Sequence, residues 1–460
     1  MKNSRKLPQF STLEDLKSYL FVVLPNARKA LFSAGKGFDR SQKFYELLGN
    51  PQDIPKTIHI AGTSGKGSTA YYLSALLISH GFKVGTHVSP HVFDLRESSM
   101  IDLKLPSEED FVKNFKLIIP KILNMQNTDY GLPTYFEAIL GATFTLFDNQ
   151  KVDYSVIETG LGGKYDSTNT ISKADKLSVI TKIGLDHTEV LGNTLEEIAN
   201  QKAGIINQNS EVIAVDNNKS VTKVFKANAQ QKNASLDLVN PVNFGKNIHI
   251  KNANIIFDYD DGHLKITGCT LSTFADYQVE NACLAISVFK KLSQRDAFEI
   301  NTNLVKKALS EINIPGRCEL REYRGKKLII DGAHNPQKMS AFTQSLDKIN
   351  LDKKPIWLIG MKKDKDLDGV IEQILPRAQK IICTEFFKNS DNLHLRKSAV
   401  SAVDLQTKIK SLDPNFLVEV EQDPIKALNL CVKSAKVDQQ IIISGSLYLL
   451  SEINVVISNY

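Results

Sequence analysis

No two cysteines of this chain form a C-x-x-C pair; the five present, Cys269, Cys283, Cys318, Cys383 and Cys431, are scattered. Such spacing excludes a disulfide framework and a cysteine-built structural zinc site. Long apolar runs are equally missing. No stretch approaches the roughly 18 unbroken apolar residues that read as a membrane helix, and the basic opening "MKNSRKLPQFSTLEDL" turns polar too early for a signal peptide. A cytoplasmic location without membrane partners is therefore expected. Blocks of lysine and arginine are absent as well: 57 basic against 51 acidic residues leave a net charge of +6 over 460 residues. So thin an excess does not point to nucleic acid, although it favours anionic small substrates. There is no fixed-period repeat and no low-complexity segment.

What is present reads as an α/β protein. A hydrophobic share of 42% and a charged share of 23% are globular values, and the length predicts two domains. "TLEDLKSYLFVVL" and "FDRSQKFYELLG" carry apolar residues at helical spacing. Strand-like runs at Thr57–Ala61, "KVGTHVS", "DYSVIETG", "KLSVITKIG" and "SEVIAV" then alternate with helical ones, the rhythm of a mostly parallel sheet. Residues 234–275 break it with shorter polar strands, expected as a small β excursion on the first domain. Pro315-Gly316 marks a junction. Beyond it "KLIIDGA", "PIWLIGM", "KIICTEF", "FLVEVE" and "QQIIISG" alternate with helices again, as in a second, independently folded α/β domain. The expected division is 1–312 and 313–460.

The run "HIAGTSGKGSTAYYLSALL", residues 59–77, carries the first chemistry. Its glycines permit positive φ and close backbone approach, so the amides of Gly62, Thr63, Ser64, Gly65, Lys66, Gly67, Ser68 and Thr69 can face phosphate oxygens at a helix N-terminus. Lys66 supplies a point charge, and the hydroxyl of Ser68 or Thr69 can reach a magnesium ion. The strict P-loop pattern places Ser or Thr directly after the lysine; here Gly67 intervenes.

Further blocks follow in order: "VSPHV", "TYFEA", "ETGLGGKYDSTN", "GLDHTEVLGNTLEEIANQKAGII", "DYQVENA", "PGRCE" and "DGAHNP". With these the chain resembles the folylpolyglutamate synthase/dihydrofolate synthase family of the Mur ligase superfamily over nearly its whole length. The resemblance implies a Mur ligase central domain of P-loop type, followed by a C-terminal Rossmann-like domain. It also implies an ATP- and Mg2+-dependent ligase that phosphorylates a folate or dihydropteroate carboxylate and joins it to L-glutamate. Two metal sites, a carbamylated Lys202 and a monovalent cation belong to that expectation, as does a monomer acting on small molecules.

By the same resemblance Lys66 is the P-loop lysine, and Ser89, Glu158 and His187 are metal ligands. Asn281 and Arg317 contact nucleotide, and Asp331 the ribose. His334 lies near the glutamate entry. Phe136 in the segment Thr134, Tyr135, Phe136, Glu137 stacks on the pterin ring, with Asp166 and Ser167 beside it. Competing assignments are a helix-surface lysine at 202, a core aromatic at 136 and a structural histidine at 334. Ser64, Ser98, Lys164, Ser167 and Tyr277 depart from the family's usual residues. Two other readings stay open: a Mur-type amino-acid ligase with a different acceptor, and a nucleotide-hydrolysing switch protein.

Overall fold

The computed structural model describes residues 10–25, 35–349, 351–386 and 399–458; the basic start of the chain lies outside them. By contacts the chain divides into two compact units. The first comprises Met1–His91, Leu95–Phe244 and Glu280–Leu309; the second comprises Val92–Asp94, Gly245–Val279 and Ser310–Tyr460.

The first unit is built on strands β1 (Lys56–Ala61), β2 (Val84–His87), β3 (Met100–Ile101), β4 (Tyr154–Glu158), β5 (Leu177–Ile180), β6 (Glu211–Val215) and β7 (Ser235–Val239). They form one sheet in the order β3-β2-β4-β1-β5-β6-β7, parallel except for the short β3. Parallel neighbours need crossover connections, which is why helices follow the strands. The central strands are buried along their length because both faces are covered: "YSVIE" of β4 is buried at every position. The chain departs from β1 to opposite sides, with β4 on one flank and β5 on the other. Such a switch point opens a crevice beyond the strand ends.

The second unit holds two sheets. Strands β8 (Gly245–Lys251), β9 (Asn254–Asp260) and β10 (Lys265–Leu271) form an antiparallel sheet. Strands β11 (Glu319–Tyr323), β12 (Lys326–Ile330), β13 (Ile356–Ile359), β14 (Lys380–Cys383), β15 (Val418–Val420) and β16 (Ile441–Ser444) form the other, ordered β11-β12-β16-β13-β14-β15. Only β11 is antiparallel in it.

The β excursion differs from the expectation in two ways. "SLDLV" is not part of it, because β7 pairs in parallel with β6. The three-stranded sheet groups with the second unit rather than the first. The cause is apolar: Ile250 and Ala253 pack on a core that contains Phe274, Ile329, Met339 and Trp357. Among the described residues no helix is long and apolar enough to cross a membrane.

One core residue is electrically costly. Lys176, just before β5, is fully buried, and its Nζ donates to Asn169 Oδ1 at 3.3 Å. Burial pushes its ammonium down to about 7. The unfolded lysine therefore keeps a proton that the folded one releases between pH 7 and about 10.5, and stability rises with pH across that window. Lys176→Met should raise the unfolding midpoint most at pH 7 and below, with the advantage shrinking toward pH 10. A thermal melt series over pH 6–10 checks this; an advantage that does not change with pH would refute it.

Candidate active site

Four neighbouring parallel strands deliver the site, in the order β2, β4, β1, β5. Their ends are flush: His87 and His59 both register with Ile157, and Ile60 registers with Glu158 and Val179. Ser89 follows β2, Glu158 ends β4, the glycine turn follows β1, and His187 follows β5.

The turn runs into helix Lys66–Ser79, whose N-cap Gly65 has φ 88°. A side chain there would be strained, and its Cβ would sit 2.3 Å from Asn281 Oδ1. Gly62, at φ 152°, is pressed closer still, with Thr181 Oγ1 1.7 Å from a hypothetical Cβ. The turn is anchored by β5's extension. Thr63 N donates to Lys182 O at 3.0 Å, Thr63 Oγ1 donates to Gly184 O at 3.0 Å, and Thr181 Oγ1 donates to Ser64 O at 2.7 Å. Thr69 is buried, and neither its hydroxyl nor the buried Ser64 hydroxyl has a partner among the described residues. Unsatisfied hydroxyls in a phosphate-type turn are groups an incoming ligand can satisfy.

Glu158 is where the neighbouring elements meet. Its Oε2 accepts from Ser89 N at 3.2 Å, and its Oε1 lies 3.8 Å from Lys66 Nζ. Its carboxylate also explains Gly67. A Cβ at 67 would lie 3.0 Å from Glu158 Oε2, so the residue after the lysine has to be small. Lys202 is 5% exposed, which rules out a helix-surface lysine; its Nζ donates to Gly62 O at 2.8 Å. His187 starts the short helix Thr188–Leu191 at φ 52°, with Asp186 Oδ1 accepting from its backbone N–H at 3.1 Å. Among the described residues no group of three or more His, Cys, Asp and Glu side chains converges as a metal site. Ser89 and Glu158 together offer the hard oxygen donors that Mg2+ takes.

Two residues beyond Glu158 a second cluster begins. A Cβ on Gly160 would lie 2.7 Å from Phe136 Cζ and 3.2 Å from Asp166 Oδ2. Phe136 sits in the first turn of helix Tyr135–Asn149, partly exposed and packed on the core. Thr134 and Glu137 form that helix's capping box. Both Glu137 oxygens are engaged by Arg40, at 2.7 and 2.8 Å, and one of them also accepts from Thr134 N. These two residues therefore hold Tyr135 and Phe136 in place rather than present free polar groups. Ser167 Oγ accepts from Ser41 Oγ at 2.8 Å. Asp166 caps the turn Ser167–Thr170 and accepts from Leu161 N, Thr168 N and Thr168 Oγ1. Burial raises its pKa.

Three candidates lie in the second unit. Asp331 is 3% exposed and accepts from Tyr277 Oη, Cys318 N and Ala333 N, each at 2.8 Å. It is a hub inside the unit. Tyr277, one of the departures, is the hydroxyl that completes it. Arg317 lies against Gly332, whose added Cβ would be 2.8 Å from its Nη1. The Gly332 carbonyl can only accept, so His334 Nδ1 donates to it at 2.7 Å; Nε2 then accepts from Lys338 Nζ at 3.1 Å. Arg40, Thr181 and Tyr277 stand inside quoted runs, Tyr277 in "DYQVENA", but no run showed what they hold. Their partners are distant in sequence and meet only in the fold.

Strand order and turn define an α/β nucleotide-binding protein of Mur ligase type. Residues 60–289 match the family model of the Mur ligase middle domain, and residues 317–456 that of the dihydrofolate synthetase C-terminal domain. A dihydrofolate synthase/folylpolyglutamate synthase of Bacillus subtilis is 27% identical, over 96% of this chain and 99% of its own. A probable dihydrofolate synthetase of Schizosaccharomyces pombe is 30% identical, over 90% of this chain and 97% of its own. The fold matches that of Mycobacterium tuberculosis folylpolyglutamate synthase complexed with ADP at a TM-score of 0.84, with 23% identity over 97% and 98% of the two chains. The chain belongs to the dihydrofolate synthase/folylpolyglutamate synthase family.

Gly65→Ala should weaken nucleotide binding about tenfold or more, since a strained non-glycine backbone costs roughly 1–3 kcal/mol and the Cβ meets Asn281. Titration with a fluorescent ATP analogue measures it. Unchanged affinity in a folded variant would refute the assignment of this turn to phosphate.

Proposed function

We propose that this protein is an ATP-dependent ligase that joins L-glutamate to a carboxylate of a folate or dihydropteroate. One observation carries the reading. The end of β4 serves both clusters, with Glu158 against the phosphate-type turn and Gly160 against Phe136 and Asp166. A ring held at the second cluster would bring its acid-bearing tail toward the first.

The chemistry is a two-step exchange. A substrate carboxylate oxygen takes the γ-phosphoryl group of ATP, releasing ADP and leaving an acyl phosphate. The glutamate amine then attacks the acyl carbon; the C–N bond forms, the C–O bond breaks, phosphate departs and the amine loses a proton. Lys66 and the turn's amides offset phosphate charge, and the strand ends fix the reactants' approach. Ser89, Glu158 and His187 would hold Mg2+, which supplies further charge neutralisation when bound. Asn281, beside Gly65, is suited to nucleotide contact, as is Arg317 within its own unit. His334, neutral and held at both nitrogens, is suited to positioning glutamate beside Lys338.

Lys202 is compatible with a carbamate. Carbamylation would leave an N–H on Nζ to keep the bond to Gly62 O while replacing the cation with an anion. A cytoplasmic monomer acting on small molecules completes the proposal.

ADP release should require L-glutamate together with dihydropteroate or a reduced folate. Turnover with a peptidoglycan precursor instead would favour a Mur-type ligase with another acceptor. Lys66→Ala should lower ADP release by roughly 10²–10³-fold or more, and near-normal release would refute its role. In Lys202→Ala, rescue by short carboxylic acids but not by bicarbonate would support the carbamate; no rescue by either would count against it.

A further inference from the structure

His87 is the last residue of β2, 1% exposed, and its ring lies 6.1 Å from Phe136 at an interplanar angle of 55°. Its Nδ1 is 2.7 Å from the Ser98 carbonyl oxygen. A carbonyl can only accept, so Nδ1 carries the proton and Nε2 presents a lone pair. That lone pair is buried and has no hydrogen-bond partner among the described residues. A buried acceptor left unmade costs roughly 1–3 kcal/mol.

Its surroundings suggest a use for it. Phe136, Gly160 and Asp166 form the second cluster at the end of β4, and His87 borders it through the Phe136 ring. His59, on the neighbouring β1, is engaged differently: its Nε2 is within 2.8 Å of Thr168 Oγ1 and 3.1 Å of Thr159 Oγ1, and it is Nδ1 that has no partner among the described residues. Ser98 takes part through its backbone. Its hydroxyl donates to Leu95 O at 2.7 Å, and its carbonyl fixes the His87 tautomer.

We propose that His87 is a specificity-determining residue of the ring pocket, whose Nε2 accepts a hydrogen bond from an N–H of a planar heterocyclic substrate lying against Phe136. The inference rests on the folate-ligase reading and adds to it. With Asp166 also an acceptor, the pocket selects rings rich in N–H donors. A ring that presents only acceptors there would leave two lone pairs opposed and bind less well.

The test uses the full-length enzyme and 7,8-dihydropteroate, with binding followed by quenching of protein fluorescence. His87→Asn keeps a side-chain N–H for the Ser98 carbonyl and removes the acceptor at Nε2. Its melting midpoint should stay within about 2 °C of wild type, because the bond to Ser98 is kept and the asparagine Oδ1, set back from the position of Nε2, merely replaces one unmet buried acceptor by another. Dihydropteroate should bind it about tenfold more weakly, with nucleotide affinity unchanged. Unchanged dihydropteroate affinity in the folded variant overturns the inference and leaves the ligase reading standing. Binding of neither dihydropteroate nor a reduced folate to wild type sinks the ligase reading, and this inference with it. Should His87→Asn fail to fold, wild-type enzyme labelled with 15N-histidine carries the test. An unprotonated ring-nitrogen resonance should move upfield when dihydropteroate is added, as on accepting a hydrogen bond; no movement overturns the inference.

Discussion

The carboxylate of Glu158 is the constraint around which the first unit's chemistry is arranged. It ends a fully buried strand and faces Ser89 N, Lys66 Nζ and Gly67, three points from two other chain segments. A buried carboxylate needs partners, because its charge is otherwise expensive. Those partners are the phosphate-type turn and the residue after β2. Moving any of the three strand ends would break the set, which is why register across β2, β4 and β1 matters more here than any loop.

A second layer of buried polar contacts holds the ring cluster. Arg40 neutralises Glu137, Glu137 and Thr134 cap the helix that carries Phe136, and Asp166 caps its own turn while engaging Thr168. None of these groups is idle. A buried ion pair adds little net stability, but losing one partner is costly, so such pairs specify a single arrangement. Asp331 plays the equivalent part in the second unit, with burial raising its pKa and three donors holding it. Tyr277 is one of those donors.

Local patterns disclosed much of this. The parallel strands β1, β2, β4, β5 and β6 stand where apolar runs alternate with helical ones, because a strand covered on both faces must be apolar along its length. Edge strands were less legible. β3 spans two residues, and β11, "ELREY", is too polar to stand out. The antiparallel sheet was visible as strands but not as a companion of the second unit's core, since period alone does not name the surface a strand packs against. Lys202 illustrates the same gap: its helix pattern allowed a surface position, and only the Gly62 carbonyl shows why it is buried.

By itself the sequence determined the class of chemistry: a glycine turn with Lys66 between strand and helix, strand-end Ser89, Glu158 and His187, and motif blocks in family order. Each of these depends on residue type and near-neighbour spacing, which a linear chain displays. Only the tertiary structure decided which side chains were already committed. Glu137 is tied to Arg40, 97 residues away, Asp331 to Tyr277, 54 residues away, and Gly67 makes room for a carboxylate on another strand. It alone left the Nε2 of His87 without a partner among the described residues. Hydrogen-bond satisfaction is a property of atoms brought together from distant segments, and no short run of sequence records it.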